Sequence, residues 1–154
     1  MNTDVTLKHG FSLSTNIREK LCTLEVGMNQ GIQDGSLIEQ EVPLEEFYAG
    51  GVYARQIFIK AGTALVGAIH KDEWLHVVSK GKIRIVTEAG TRIIDATERP
   101  QTFSSPAGVK RAGFVLEDTW WTSFLATDVK TDVEVRAKHI VSDYAELDRI
   151  EASE

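Results

Sequence analysis

The stretch IKAGTALVGAIHKDEWLHVVSKG, Ile59 to Gly81, governs how the rest of this chain is read. Its segments Leu65–His70 and Trp74–Ser79 are short and rich in β-branched and aromatic residues. Glycines and the Lys-Asp and Lys-Gly turns bound them, which is the pattern of strands. Side chains alternate faces along a strand, so Trp74, His76 and Val78 share one face and Leu75 and Val77 the other. The same texture runs outward in both directions. Val52–Lys60 precedes the stretch; Lys82–Glu88, Arg92–Ala96, Gln101–Ser104, Arg111–Leu116 and Trp120–Ala126 follow it. Glu88-Ala89-Gly90 joins two of these as a hairpin, with glycine where a positive φ is needed. Seven or eight short strands at this spacing predict a sandwich or barrel.

The flanks read differently. Ser14 or Thr15 is placed to cap a helix running to about Val26, with Ile17, Leu21, Leu24 and Met28 at helical spacing. Gly27, Gly31 and Gly35 are expected to end that helix in a loop. Residues 1–13 have no clear period and read as an arm or short strand. In the tail, Val133, Ile140, Tyr144, Leu147 and Ile150 fit a polar helix starting near Ser142-Asp143. The chain therefore divides into an N-terminal arm and helix packing on the barrel (1–50), a barrel (51–128) and a C-terminal extension with a helix (129–154), all in one domain.

Composition sets the outer limits. The chain has 154 residues, 42% of them apolar, and a formal charge of −6. A domain of this size buries roughly 68–70% of its unfolded surface. The acidic balance argues against a nucleic-acid polymer as partner, since such binding needs a basic surface. The single cysteine, Cys22, excludes an intramolecular disulfide and a Cys-based zinc site. With no signal-like N-terminus and no apolar run near the ~20 residues of a membrane helix, a cytoplasmic location is expected.

A second stretch, FSSPAGVKRAGFV from Phe103 to Val115, answers the first. Together they resemble the cupin superfamily, whose pattern is a glycine, His-x-His, a Glu three or four residues on, a glycine seven after the Glu, and then Pro-x-Gly-x-x-His. Counting back from Gly81 sets Trp74 at the Glu position, His70 at the second His and Ala68 at the first. Counting on from Pro106 and Gly108 sets Arg111 at the last His. One of the four usual metal ligands is kept. The resemblance covers about Val52 to Ala126 and implies a mainly β, cupin-type double-stranded β-helix (jelly-roll) barrel with an N-terminal and a short C-terminal helix. The run YARQIFIKAGTALVGAIHKDEWLHVVSKGKIRIVTEAG, followed by PAGVKRAGFVLEDTWWTSF, also resembles small uncharacterised cupin-like proteins of tailed bacteriophages and prophages. A phage origin would make the location the host-cell cytoplasm. Cupins are commonly dimers, so a homodimer or higher homo-oligomer is implied.

If His70 and Trp74 point inward as the matched positions do, the pocket holds His70, Trp74, His76 and Arg111. Strand Val52–Lys60 adds either Tyr53 and Arg55 or Ala54 and Gln56, and the last strand either Trp120 or Trp121; Tyr53, Arg55 and Trp121 are favoured. This set suits a small anion better than a metal. Two unit charges ~4 Å apart at an effective dielectric of about 20 interact by roughly 4 kcal/mol, so a divalent ion beside Arg111 meets strong repulsion. The same guanidinium suits a carboxylate or phosphate held bidentately. No cofactor is therefore favoured; a divalent metal, if held, would use His70, Glu73 and His76. Structural readings stand beside these. His70 and His76 fit as hydrogen-bonded barrel residues, Arg111 as a partner of Glu117 or Asp118, and Lys80-Gly81-Lys82 and Lys110-Arg111 as solvated turns. The leading expectation is a small anionic ligand (nucleotide, sugar phosphate or carboxylate). The rivals are a cupin enzyme with His70 or His76 as general base near pH 7, a weak-metal dioxygenase, and an inert barrel acting through its surface.

Overall fold

The computed structural model describes residues 10–141, with side chains from Asn16 onward. Helix α1 (Gly10–Asp34) precedes seven strands: β1 (Leu44–Ala49), β2 (Val52–Ile59), β3 (Ala64–Gly67), β4 (Trp74–Thr87), β5 (Gly90–Asp95), β6 (Gln101–Ser105) and β7 (Arg111–Ala126). Helix α2 (Asp132–His139) follows. The fold is mainly antiparallel β with an N-terminal helix and a short C-terminal one.

Strands β4 and β7 organise the sheet because each serves two faces. Their first face takes Trp74–Val78 of β4 with β6, and Thr119–Ala126 of β7 with β2, which carries β1 outside it. The second takes Lys82–Thr87 of β4 with β5, and Arg111–Phe114 of β7 with β3. Between the faces the β4–β7 register shifts at Val78/Lys80, Lys80/Lys82 and Lys82/Ile83. Bulges of this kind bend a strand. Gly81 sits in that bend with φ 104°, and a Cβ there would be driven into the Asp118 carbonyl and Thr119. The bend folds β7 back on itself. Arg111 and Trp121 would lie ~33 Å apart on a straight strand, yet the Arg111 guanidinium is 5.5 Å from the Trp121 ring.

Three apolar clusters hold this arrangement. Ile59, Val78, Ile83, Ile85, Ile94, Ala96, Val115 and Trp121 pack between the two faces. Tyr53, Trp74, Leu125 and Val135 pack beneath α2, and Ile69 meets Val141. Thr131 caps α2 through a capping box with Glu134. Helix α1 is tied to the barrel by polar contacts: Arg18 pairs with Glu88 at 3.4 Å and donates to the Gly108 carbonyl, and Lys110 Nζ meets Glu25 at 2.5 Å.

Several expectations are corrected. The strands expected at Trp74–Ser79 and Lys82–Glu88 are one bent strand, as are Arg111–Leu116 and Trp120–Ala126, because a bulge redirects a strand without ending it. Helix α1 does not stop at Val26. An interior glycine costs only about 1 kcal/mol relative to alanine, and the helix runs through Gly27 and Gly31 to Asp34, where Gly35 (φ 82°) turns the chain. Leu37 folds back onto Gly31, whose carbonyl accepts from the Leu37 amide at 2.9 Å. Strand β1 was not anticipated; all six of its residues are exposed, so no alternating pattern marks it. Lys110 is fully buried rather than a solvated turn residue. Helix α2 begins at Asp132; the helix expected from Ser142, and most of the arm expected over residues 1–13, lie outside the described residues.

Candidate ligand-binding cavity

The bend leaves a cavity of about 260 Å³ between the two faces. Strand register sorts its lining into a polar row and an apolar floor. Arg55, Ser123 and His76 are cross-strand partners on β2, β7 and β4. Two residues along, Ile57 and Trp121 are partners, and Ile59 lies two further on β2. On the second face Arg111 pairs with Gly67 and Thr87, and two residues along Gly113 pairs with Leu65 and Ile85. By register the polar residues occupy one level of each face and Ile57, Ile59, Leu65 and Ile85 the next, with Ile83 also in the lining and Trp121 touching both His76 and Arg111.

Five of the seven expected ligand-binding residues line this cavity: Arg55, His70, His76, Arg111 and Trp121. Tyr53 and Trp74 do not. Tyr53 shares the inward face of β2 but lies past the cavity, packed against Trp74, Leu125 and Val135, with its hydroxyl donating to Glu46 at 2.9 Å. Burial and the Glu46 carboxylate push that hydroxyl's pKa up, well above the ordinary phenol value. Trp74 is in the same cluster, and its ring stacks on His70 at 4.5 Å, backing the imidazole from behind. Trp120, the alternative to Trp121, is outside against Phe58.

His76 is 1% exposed and its hydrogen bonds fix its tautomer. The Trp121 indole N–H, which can only donate, reaches His76 Nδ1 at 3.0 Å, and Ser123 Oγ is 2.9 Å from the same nitrogen. Nδ1 is therefore the acceptor and Nε2 carries the proton. Nε2 is buried and has no hydrogen-bond partner among the described residues. Burial first, then Arg111, hold the His76 pKa down to about 3; burial, Arg111 and Arg55 hold His70 down to about 4. Both rings are neutral at pH 7 and are weak bases there.

Arg111 donates to Ser105 Oγ at 2.7 Å and stands over Trp121. Burial and the nearby Arg92 lower its pKa to about 10, which leaves it charged at neutral pH. It pairs with neither Glu117 nor Asp118; Asp118 instead accepts from the Ala61 amide. Arg55 and a further lining residue, Arg136, share one acid, Asp132, at 3.6 and 2.7 Å. Among the described residues no carboxylate lines the cavity, and Arg111 has no acid within ion-pair distance. Ser123, Ser105, Asp132 and Arg136 were missed in the sequence. Ser123 was within reach, two positions from Trp121 on the same face; Ser105 lies on β6, and Asp132 and Arg136 are an i,i+4 pair on α2, an element that the sequence reading did not place there.

These residues do not fit a divalent ion. Glu73 is exposed on the outside beside Leu75 and Phe124, away from His70 and His76. Among the described residues no three His, Cys, Asp or Glu side chains converge. In the tautomer set by Trp121, His76 offers no free lone pair.

No family model matches the chain, and no curated protein sequence matches it. Among solved structures it is similar to a cupin superfamily protein from Desulfitobacterium hafniense (13% identity, 60% of this chain and 83% of that one, TM-score 0.48). A cupin-2 domain containing protein from Shewanella frigidimarina gives 11% identity over 61% and 89% of the two chains, TM-score 0.46. The cupin domain of Cnp3 from Schizosaccharomyces pombe gives 18% over 68% and 71%, TM-score 0.46. These likenesses concern fold alone. No described helix is long and apolar enough to cross a membrane.

Proposed function

We propose that this barrel binds a small anionic molecule, without a metal, through Arg111 as charge anchor and His76 Nε2–H and His70 as hydrogen-bonding groups. The observations that carry the reading are a guanidinium with no described acid within ion-pair distance and, lining the same cavity, the His76 ring, whose buried Nε2–H has no partner among the described residues. A buried donor without a partner costs about 1–3 kcal/mol, and an anion beside Arg111 satisfies both groups at once. Binding is favoured over proton abstraction because both histidines are weak bases. It is favoured over an inert barrel because the interior is not filled. The phage-like sequence resemblance adds a setting, in which the ligand is a metabolite of the host cell. Native mass spectrometry of gently purified protein tests the proposal. A non-covalent adduct of small organic mass, absent from Arg111→Met, is expected. An adduct retained in the variant, or a metal-sized increment in its place, would overturn it.

A further inference from the structure

The cavity's polarity is graded, and the grading narrows the ligand. Resting on the anion-binding reading above, we infer that the ligand is a small amphipathic carboxylate, its head on Arg111 and His76 and its apolar body on the floor. The floor is formed by Ile57, Ile59, Leu65, Ile83, Ile85 and Trp121. The one polar atom these side chains carry, Trp121 Nε1, is already committed to His76. A hydroxyl-rich body such as a sugar would bury several groups there without partners, at about 1–3 kcal/mol each. An apolar body gains from the same contact, by roughly fourfold in affinity for each buried methylene.

Size points the same way. At about 30 Å³ per water in the liquid, 260 Å³ accommodates a body on the order of ten heavy atoms. Arg111 selects the head group. Arg55 and Arg136 share the single acid Asp132, so the three lining arginines carry an excess of positive charge, and Arg111 faces the cavity with no described acid within ion-pair reach. That excess favours an anion, and the planar fork of Arg111 matches a carboxylate held bidentately.

Calorimetric titration of the full chain with phenylacetate, phenylacetamide, phenyl phosphate, glucose 6-phosphate and AMP tests this. Phenylacetate is expected to bind tightest, phenylacetamide at least tenfold more weakly, and Arg111→Met to lose at least tenfold for phenylacetate. Tightest binding by a phosphate, lost in Arg111→Met, would overturn the carboxylate assignment and leave the anion reading intact. Equal binding of acid and amide would overturn both. Binding of none of the five would overturn the carboxylate inference, with the native-mass measurement left to judge the anion reading. A straight-chain series from acetate to octanoate needs no variant. Affinity is expected to climb by about fourfold per methylene until the floor is filled; a flat series would contradict an apolar floor.

Discussion

Arg111 and His76 carry opposite signatures for stability and for binding. A partly buried cation with no described acid within ion-pair distance is a cost to the folded chain, so Arg111→Met is expected to leave the unliganded protein as stable or more so, by on the order of 1 kcal/mol. The same change should abolish anion binding; chemical denaturation beside calorimetry reads the two effects separately. Proton linkage gives a second prediction. His70 and His76 have folded pKa values of about 4 and about 3, against 6.5 when unfolded. Below pH 6.5 the unfolded chain therefore binds protons that the folded chain refuses. The stability these neutral rings contribute is fully present above about pH 6.5 and is lost as pH falls towards 3. The slope reaches up to about 1.4 kcal/mol per pH unit for each ring. Urea unfolding between pH 7 and 4.5 should show this fall, and His76→Phe should flatten it. The cupin-like spacing placed His70, Trp74 and Arg111 inward, alternation added His76 to the face of Trp74, and Arg55 with Tyr53, and Trp121, each lay on one of two faces that alternation left open. These readings misled for Tyr53 and Trp74, because they give a side chain's face and not its depth along the barrel.

At the scale of the element, glycine accounts for both the success and the failure of sequence reading. Gly81 was recognised as a boundary, but it is a bend within β4. Its φ of 104° and its contact with the Asp118 carbonyl leave no room for a methyl group. Gly81→Ala is expected to destabilise by more than about 3 kcal/mol, since backbone strain and a main-chain clash add. Gly27, taken as a helix breaker, lies inside α1 with open space around it. Gly27→Ala should stabilise by about 0.5–1 kcal/mol. Thermal unfolding of the two variants side by side tests the contrast, and similar effects from both would contradict it. The start of α2 was present in the sequence as Thr131-x-x-Glu134, a capping box. Strand β1 had no such signal, because an edge strand exposed along its whole length has no buried face to impose a period of two.

For the whole molecule, the fold is two sheet faces closed by one bend, with the polar cavity residues at one level and aliphatic packing at the next. Strand β1 forms one edge, where Leu44, Phe47 and Tyr48, with the neighbouring Val52, are exposed. Exposed apolar edges favour strand addition by a second chain, so light scattering is expected to give twice the chain mass. Phe47→Lys should shift it towards the monomer. The central claim, an anion held between Arg111 and the His76 Nε2 proton, is tested most directly by nitrogen-15 NMR of the histidine side chains during a phenylacetate titration. The expected spectrum has His76 protonated at Nε2 only, with that resonance shifting saturably in the wild type and remaining still in Arg111→Met. A proton on Nδ1, or an Nε2 resonance indifferent to added phenylacetate and phenyl phosphate alike, would contradict it.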